Sequence, residues 1–219
     1  MKQSSAGGHS YPTREEHPLP AVVMHIVHLV SLILLIFTGF YIHSPFFSGF
    51  MGYARSIHQV AMWTFVFTTV IRIYWAFFGA GSAATGSRYR IRDFHWFSPL
   101  HRKGDATAWQ TIKYYLFLRK THPSVMKYNP LQRWIYLLWA FVLIPLTLLS
   151  GLCLWAPTMS FFESFTYSLG GLAAMRSYHY LLMWLFIITG GIHLYLVSAE
   201  HVRGMPLMLA WYERGKASE

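Results

Sequence analysis

Residues 177–199 read SYHYLLMWLFIITGGIHLYLVSA. The stretch carries no charged side chain, and a helix of about 20 mostly apolar residues is long enough to cross a bilayer core. It holds two histidines, His179 and His193, 14 residues apart. At about 100° per residue that interval returns to one face within about 40° and advances about 21 Å along the axis. One membrane-length helix thus presents two imidazoles on one stripe, one near each membrane surface. Gly190 and Gly191 lie between them and allow close packing.

Three more stretches have the same character. Residues 21–42 carry no charge, residues 56–78 carry only Arg72, and residues 134–156 carry none but include Pro145, which predicts a distortion. The fold class is therefore all-α, an integral membrane four-helix bundle. A membrane barrel would need alternating strands of about ten residues, and none is written here. Composition agrees: of 219 residues 54% are hydrophobic and 12% charged, against about 25% charged in a soluble globular chain. Residues 1–20 form a polar tail with Pro12, Pro18 and Pro20, expected to be uncleaved. The bundle covers 21–199, and 200–219 is a second tail. Within the segment 79–130, residues 105–120 have the pattern of an amphipathic helix lying on the membrane surface. The tail around 205–216 has the same pattern.

Basic residues predict the orientation. Nine lie in the segment 79–130, two in the N-terminal tail and three in the C-terminal tail. The other two connections hold only Arg55 and Arg176. Both termini and the long segment should face the cytoplasm of an inner (cytoplasmic) membrane. The net charge of +10 is explained by this topology, so nucleic acid is not an expected partner. The single cysteine, Cys153, excludes an intrachain disulfide, a cysteine-held iron–sulfur cluster and the C-x-x-C-H attachment of a c-type haem.

Ionisable residues inside a span are costly and by default functional. The spans hold His25, His28, His58, His179 and His193. With alternating span directions, His58 and His179 fall near the outer surface, and His25 and His193 near the inner one. Two stacked histidine pairs suit two b-type haems, each iron held between two imidazoles on facing helices. The 14-residue interval also runs from His25 to Gly39 and from His58 to Arg72. Gly39 would leave room for the outer ring, and Arg72 would meet inner propionates or snorkel to headgroups. His28 lies one turn from His25, and periodicity alone leaves both open as the ligand. His43 and His201 read as interfacial, and the remaining histidines show no ligand spacing. The spans contain no acidic residue, which argues against a carboxylate-based proton pump or cation channel, and no hydrolase, zinc-protease or phosphate-loop motif occurs. No catalytic residue is assigned.

Several stretches resemble the b-type cytochrome subunits of membrane-bound nickel–iron hydrogenases, a family allied with the di-haem cytochromes of formate dehydrogenase and thiosulfate reductase. They are His25 to Thr38-Gly39, MGYARSIH ending at His58, RIYWAFFG from Arg72, KYYLFL at 113–118, YNPLQ at 128–132 and the pair His179 and His193. The resemblance selects His25 over His28 and supports His58, His179 and His193. It implies an electron conduit between a hydrogenase, with its iron–sulfur small and nickel–iron large subunits, and a membrane quinone. Ile26, Arg176 and His28 depart from the family pattern. A formate dehydrogenase or thiosulfate reductase cytochrome is the alternative; a haem-free transporter or anchor is the remote one. The quinone is expected near the inner surface, beside Asn129, Glu200 and His201. The outer connections 43–55 and 157–176, rich in phenylalanine, are expected to meet the iron–sulfur subunit or to face lipid as an aromatic belt.

Overall fold

The computed structural model describes residues 17–82, 90–92, 94, 106–123, 129–200 and 205–210. Four helices are long and apolar enough to cross a membrane: α1 (Leu19–His43), α2 (Met51–Phe78), the composite third span Pro130–Trp155, and Gly171–Ala199. Between the second and third lie the strands β1 (Ala80–Ser82) and β2 (Arg90–Arg92) and the helix α3 (Ala108–Tyr115). The third span is α4 (Pro130–Leu138), a π turn at Trp139–Leu143 and α5 (Ile144–Trp155). Then come α6 (Ser160–Ser168), α7 (Gly171–Glu200) and α8 (Met205–Ala210).

The bundle inverts the soluble pattern. Large apolar side chains such as Ile33, Phe67, Phe141 and Leu194 are exposed along the spans, whereas Ser31, Thr38, Thr68, Thr69 and Ser150 are buried. Between helices in lipid there is little hydrophobic gain to be had, so small and hydroxyl residues bring backbones together. Four of these hydroxyls have a backbone acceptor: Thr38, Thr68 and Thr69 donate to the carbonyls four residues earlier, and Ser150 donates to that of Thr147.

The helices begin earlier than the apolar runs suggested, because Met51–Arg55 and Gly171–Arg176 continue their spans beyond the membrane-length core. Pro145 has its effect just upstream, where Ile144 N–H reaches back to the Trp139 carbonyl as a π turn. Proline lacks the N–H and crowds the preceding turn. Trp139 Nε1–H then donates to Thr189 Oγ1 at 2.8 Å, tying the third span to the fourth.

Three features differ from expectation. Residues 80–92 include an antiparallel strand pair, Ala80 opposite Arg92 and Ser82 opposite Arg90. The connection 157–176 contains the helix α6. The helix expected over 105–120 is shorter. A reciprocal cap between Thr107 and Gln110 starts it, and Phe117, at φ 61°, ends it. In the C-terminal segment, α8 packs against α1 with Leu207 buried, so the described part of this tail rests on protein.

Candidate functional site

His58 of α2 and His179 of α7 face each other, with ring centroids 6.3 Å apart and planes at 65°. Each is held from behind by a hydroxyl. His58 Nδ1 lies 2.8 Å from Thr38 Oγ1, and His179 Nδ1 lies 2.9 Å from Ser150 Oγ. The protons can be assigned. Thr38 gives its own to the Leu34 carbonyl at 2.6 Å, and Ser150 gives its own to the Thr147 carbonyl at 3.1 Å. Both hydroxyls must therefore accept, so both histidines carry the proton on Nδ1. That leaves each Nε2 with a free lone pair, the state in which imidazole binds a metal. A metal between two such nitrogens, each bond about 2.0 Å long, puts the ring centres about 6 Å apart.

Glycines shape the space beside these rings. A Cβ on Gly39 would lie 3.2 Å from Met183 Sδ and 3.8 Å from His58 Cε1. A Cβ on Gly151 would lie 3.3 Å from His179 Cε1. The two halves follow one rule: Thr38-Gly39 in the first span and Ser150-Gly151 in the third each supply a hydroxyl that holds an imidazole and a glycine that clears it. Ser150 and Gly151 were not singled out from sequence. The signal was the hydroxyl–glycine dipeptide near the same end of both spans.

The second pair lies toward the other membrane surface. His25 of α1 and His193 of α7 lie within electrostatic range of each other. Tyr136 and Trp139 of the third span flank His193, with ring centroids at 5.5 and 5.7 Å, and the Tyr136 hydroxyl makes a long 3.5 Å contact to His193 Nδ1. His25 Nδ1 is buried with no hydrogen-bond partner among the described residues, and the Met208 backbone of α8 approaches its ring. Arg72 lies within electrostatic range of His25, His28 and Tyr136, so its charge belongs to the same cluster. Among the described residues no group of three or more His, Cys, Asp or Glu is arranged to hold a metal ion; the arrangement is of pairs. Paired imidazoles at two levels, the His58–His179 pair with glycine clearances beside it, could hold two flat macrocycles. His58 and His179 would hold one, His25 and His193 the other, and Arg72 would face inner propionates.

His28 is engaged otherwise. Its Nδ1–H donates to the Met24 carbonyl at 2.9 Å, so its Nε2 accepts at 3.0 Å from the Thr69 hydroxyl, whose proton is shared between this nitrogen and the Phe65 carbonyl. Phe65 packs edge-on at 4.9 Å. The first bond stays within α1 and the second joins α1 to α2, so both nitrogens are occupied and none is left for a metal. His28→Ala is expected to keep its full haem content in a pyridine haemochrome assay, while weakening α1–α2 packing by roughly 1 kcal/mol.

Asn129 is fully buried and caps the third span: its Oδ1 accepts from Leu131 N–H at 2.8 Å, and Gln132 Oε1 accepts from Asn129 N–H at 3.2 Å. His201 and the Glu200 side chain lie outside the described residues.

The family model described as prokaryotic cytochrome b561 matches residues 16–210. Over 203 residues the chain is 30% identical to the probable Ni/Fe-hydrogenase 1 B-type cytochrome subunit of Escherichia coli strain K12, covering 84% of this chain and 81% of that one. It is 25% identical over 199 residues to the probable Ni/Fe-hydrogenase B-type cytochrome subunit of Azotobacter vinelandii, covering 84% and 79%. A putative protein-methionine-sulfoxide reductase subunit, YedZ1 of Azospira oryzae, is 29% identical over 195 residues, covering 83% and 89%. With four membrane-length helices and a match along nearly all of its length, the chain belongs to the prokaryotic cytochrome b561 family and is a membrane-embedded b-type cytochrome of electron transfer.

Proposed function

We propose that the chain is the di-haem cytochrome subunit of a nickel–iron hydrogenase, anchoring it to the inner membrane and passing its electrons to quinone. The observation that carries this reading is the outer imidazole pair, each Nδ1–H committed to a hydroxyl and each Nε2 free, 6.3 Å between ring centroids. The relatives named as hydrogenase cytochrome subunits support the choice of partner. Haem, when bound, supplies a one-electron carrier. The protein's part is to fix the axial imidazoles and their tautomers, exclude water, and place positive charge from Arg72 at the inner level. With both termini cytoplasmic, electrons would arrive at the outer pair from the iron–sulfur subunit and leave near the inner pair. The aromatic cluster around the buried Tyr41, made of Phe46, Phe47 and Phe50, together with the exposed Phe161, would form part of that subunit's seat.

Quinone reduction would take place at the inner side, beside Asn129, Glu200 and His201. A quinone needs an apolar slot, a few polar groups and a supply of protons. Glu200 and His201 could relay protons from the cytoplasm. Asn129→Ala and Glu200→Gln are expected to leave haem reduction by hydrogen normal while slowing reduction of added quinone. Asn129→Ser retains a capping acceptor, so slowing in that variant too excludes a mere loss of the cap. Normal quinone turnover in all three would move the site elsewhere.

One observation favours a second reading. The Azospira oryzae relative, nearly as similar as the E. coli one, is named for a different oxidoreductase. The same core could serve another periplasmic partner, and the subunits that co-purify with the chain decide between them.

A further inference from the structure

Phe117 is the only non-glycine residue with positive φ among the described residues, at 61°. It is also 93% exposed. The turn that holds it is well made: Phe117 N–H donates to the Tyr114 carbonyl at 3.0 Å, and Leu118 N–H donates to the Lys113 carbonyl at 2.8 Å. These are the paired bonds of a helix end closed by a left-handed residue, a position where glycine is usual because a side chain there is strained. Here a bulky aromatic occupies it and is almost wholly exposed. Leu116 and Leu118 on either side are also exposed, at 60% and 71%. Strain of this kind persists where the residue is used.

The surroundings indicate what covers these three side chains. The opposite face of α3 is docked: Thr111 is fully buried, α3 packs on α4, and the Tyr115 ring lies 5.7 Å from that of Tyr195. Tyr195 stands five residues before the end of α7, about 7 Å inside it. The end of α3 therefore lies beside the ends of membrane-length helices, at the depth of a bilayer interface. Lys113 Nζ sits 5.3 Å over the Trp109 ring, and Arg119 and Lys120 follow the turn directly. The sequence has no Asp or Glu between Asp105 and Glu163, so these cations have no acidic neighbour along that stretch of chain. Apolar tips flanked by cations fit an interface of acyl chains under anionic headgroups.

We propose that Leu116, Phe117 and Leu118 form a wedge that inserts into an anionic phospholipid leaflet, with Lys113, Arg119 and Lys120 on the headgroups, and that this pins α3 against the third and fourth spans. The proposal does not depend on the haem or partner assignments.

Trypsin cleavage after Arg119 and Lys120 tests it. The full chain is placed in nanodiscs of phosphatidylcholine alone or with phosphatidylglycerol, and the fragments are followed by mass spectrometry. Cleavage should be roughly tenfold slower in the anionic discs, given two basic residues at the surface. Phe117→Ser and Phe117→Gly should abolish that difference. The glycine variant favours the left-handed turn, so its loss of protection cannot be attributed to unfolding of α3. Equal cleavage in both lipids, or protection that survives in Phe117→Gly, would overturn the wedge. Equal protection in lipid-free detergent would overturn it as well, because only a partner protein or a second copy could then be covering the turn.

Discussion

The His58→Ala protein is expected to lose the outer haem and keep the inner one, so that haem content falls to half. His58 and His179 share one site, and His25 and His193 lie elsewhere along the helices, so the inner pair loses no ligand. His179 would remain tied to Ser150 without an opposing imidazole. Optical spectra of the purified variant, titrated with dithionite, should show one b-type component of normal shape and none of the other. Loss of both haems with the fold retained would mean that the two pairs are not independent. Retention of both would remove His58 from the ligand set.

Gly39→Leu is expected to have the second-largest effect. A single Cβ at Gly39 meets the flexible end of Met183 at 3.2 Å and His58 Cε1 at an ordinary 3.8 Å. Gly39→Ala should therefore be tolerated after a small shift of Met183. Leucine adds three further carbons beside the His58 ring, where a macrocycle would have to pass. Overpacking of this kind costs about 1–3 kcal/mol, or about 5- to 150-fold in occupancy of the outer site. Outer haem lost in the leucine variant but present in the alanine variant is the expected pattern. Normal haem in both would mean that the ring does not pass Gly39.

How much could be read in advance follows from what each signal depends on. Hydrophobic run length depends only on neighbouring residues, so four spans were legible, and the 14-residue interval in 177–199 placed two histidines on one face before any packing was known. Termini and caps were blurred because Met51–Arg55 and Gly171–Arg176 are helical without being membrane-like. Contacts between helices were not legible. Nothing local in Ser150 or Thr38 says which histidine each will hold, although the repeated hydroxyl–glycine dipeptide was there to be noticed. Periodicity could not separate His25 from His28, since both lie on nearly the same face. What separates them is Thr69, 41 residues further along the chain, which occupies a nitrogen of His28. Phe117 was hidden for a similar reason: a left-handed phenylalanine is rare enough that sequence favoured continuing the helix through it.

The central claim is that paired imidazoles at two levels hold two haems. The most direct test is the ratio of haem b to polypeptide in the purified intact protein, by pyridine haemochrome against quantitative amino-acid analysis. Two haems per chain is the expected result; one would mean that one of the two pairs is misassigned, and a value near zero would contradict the account altogether.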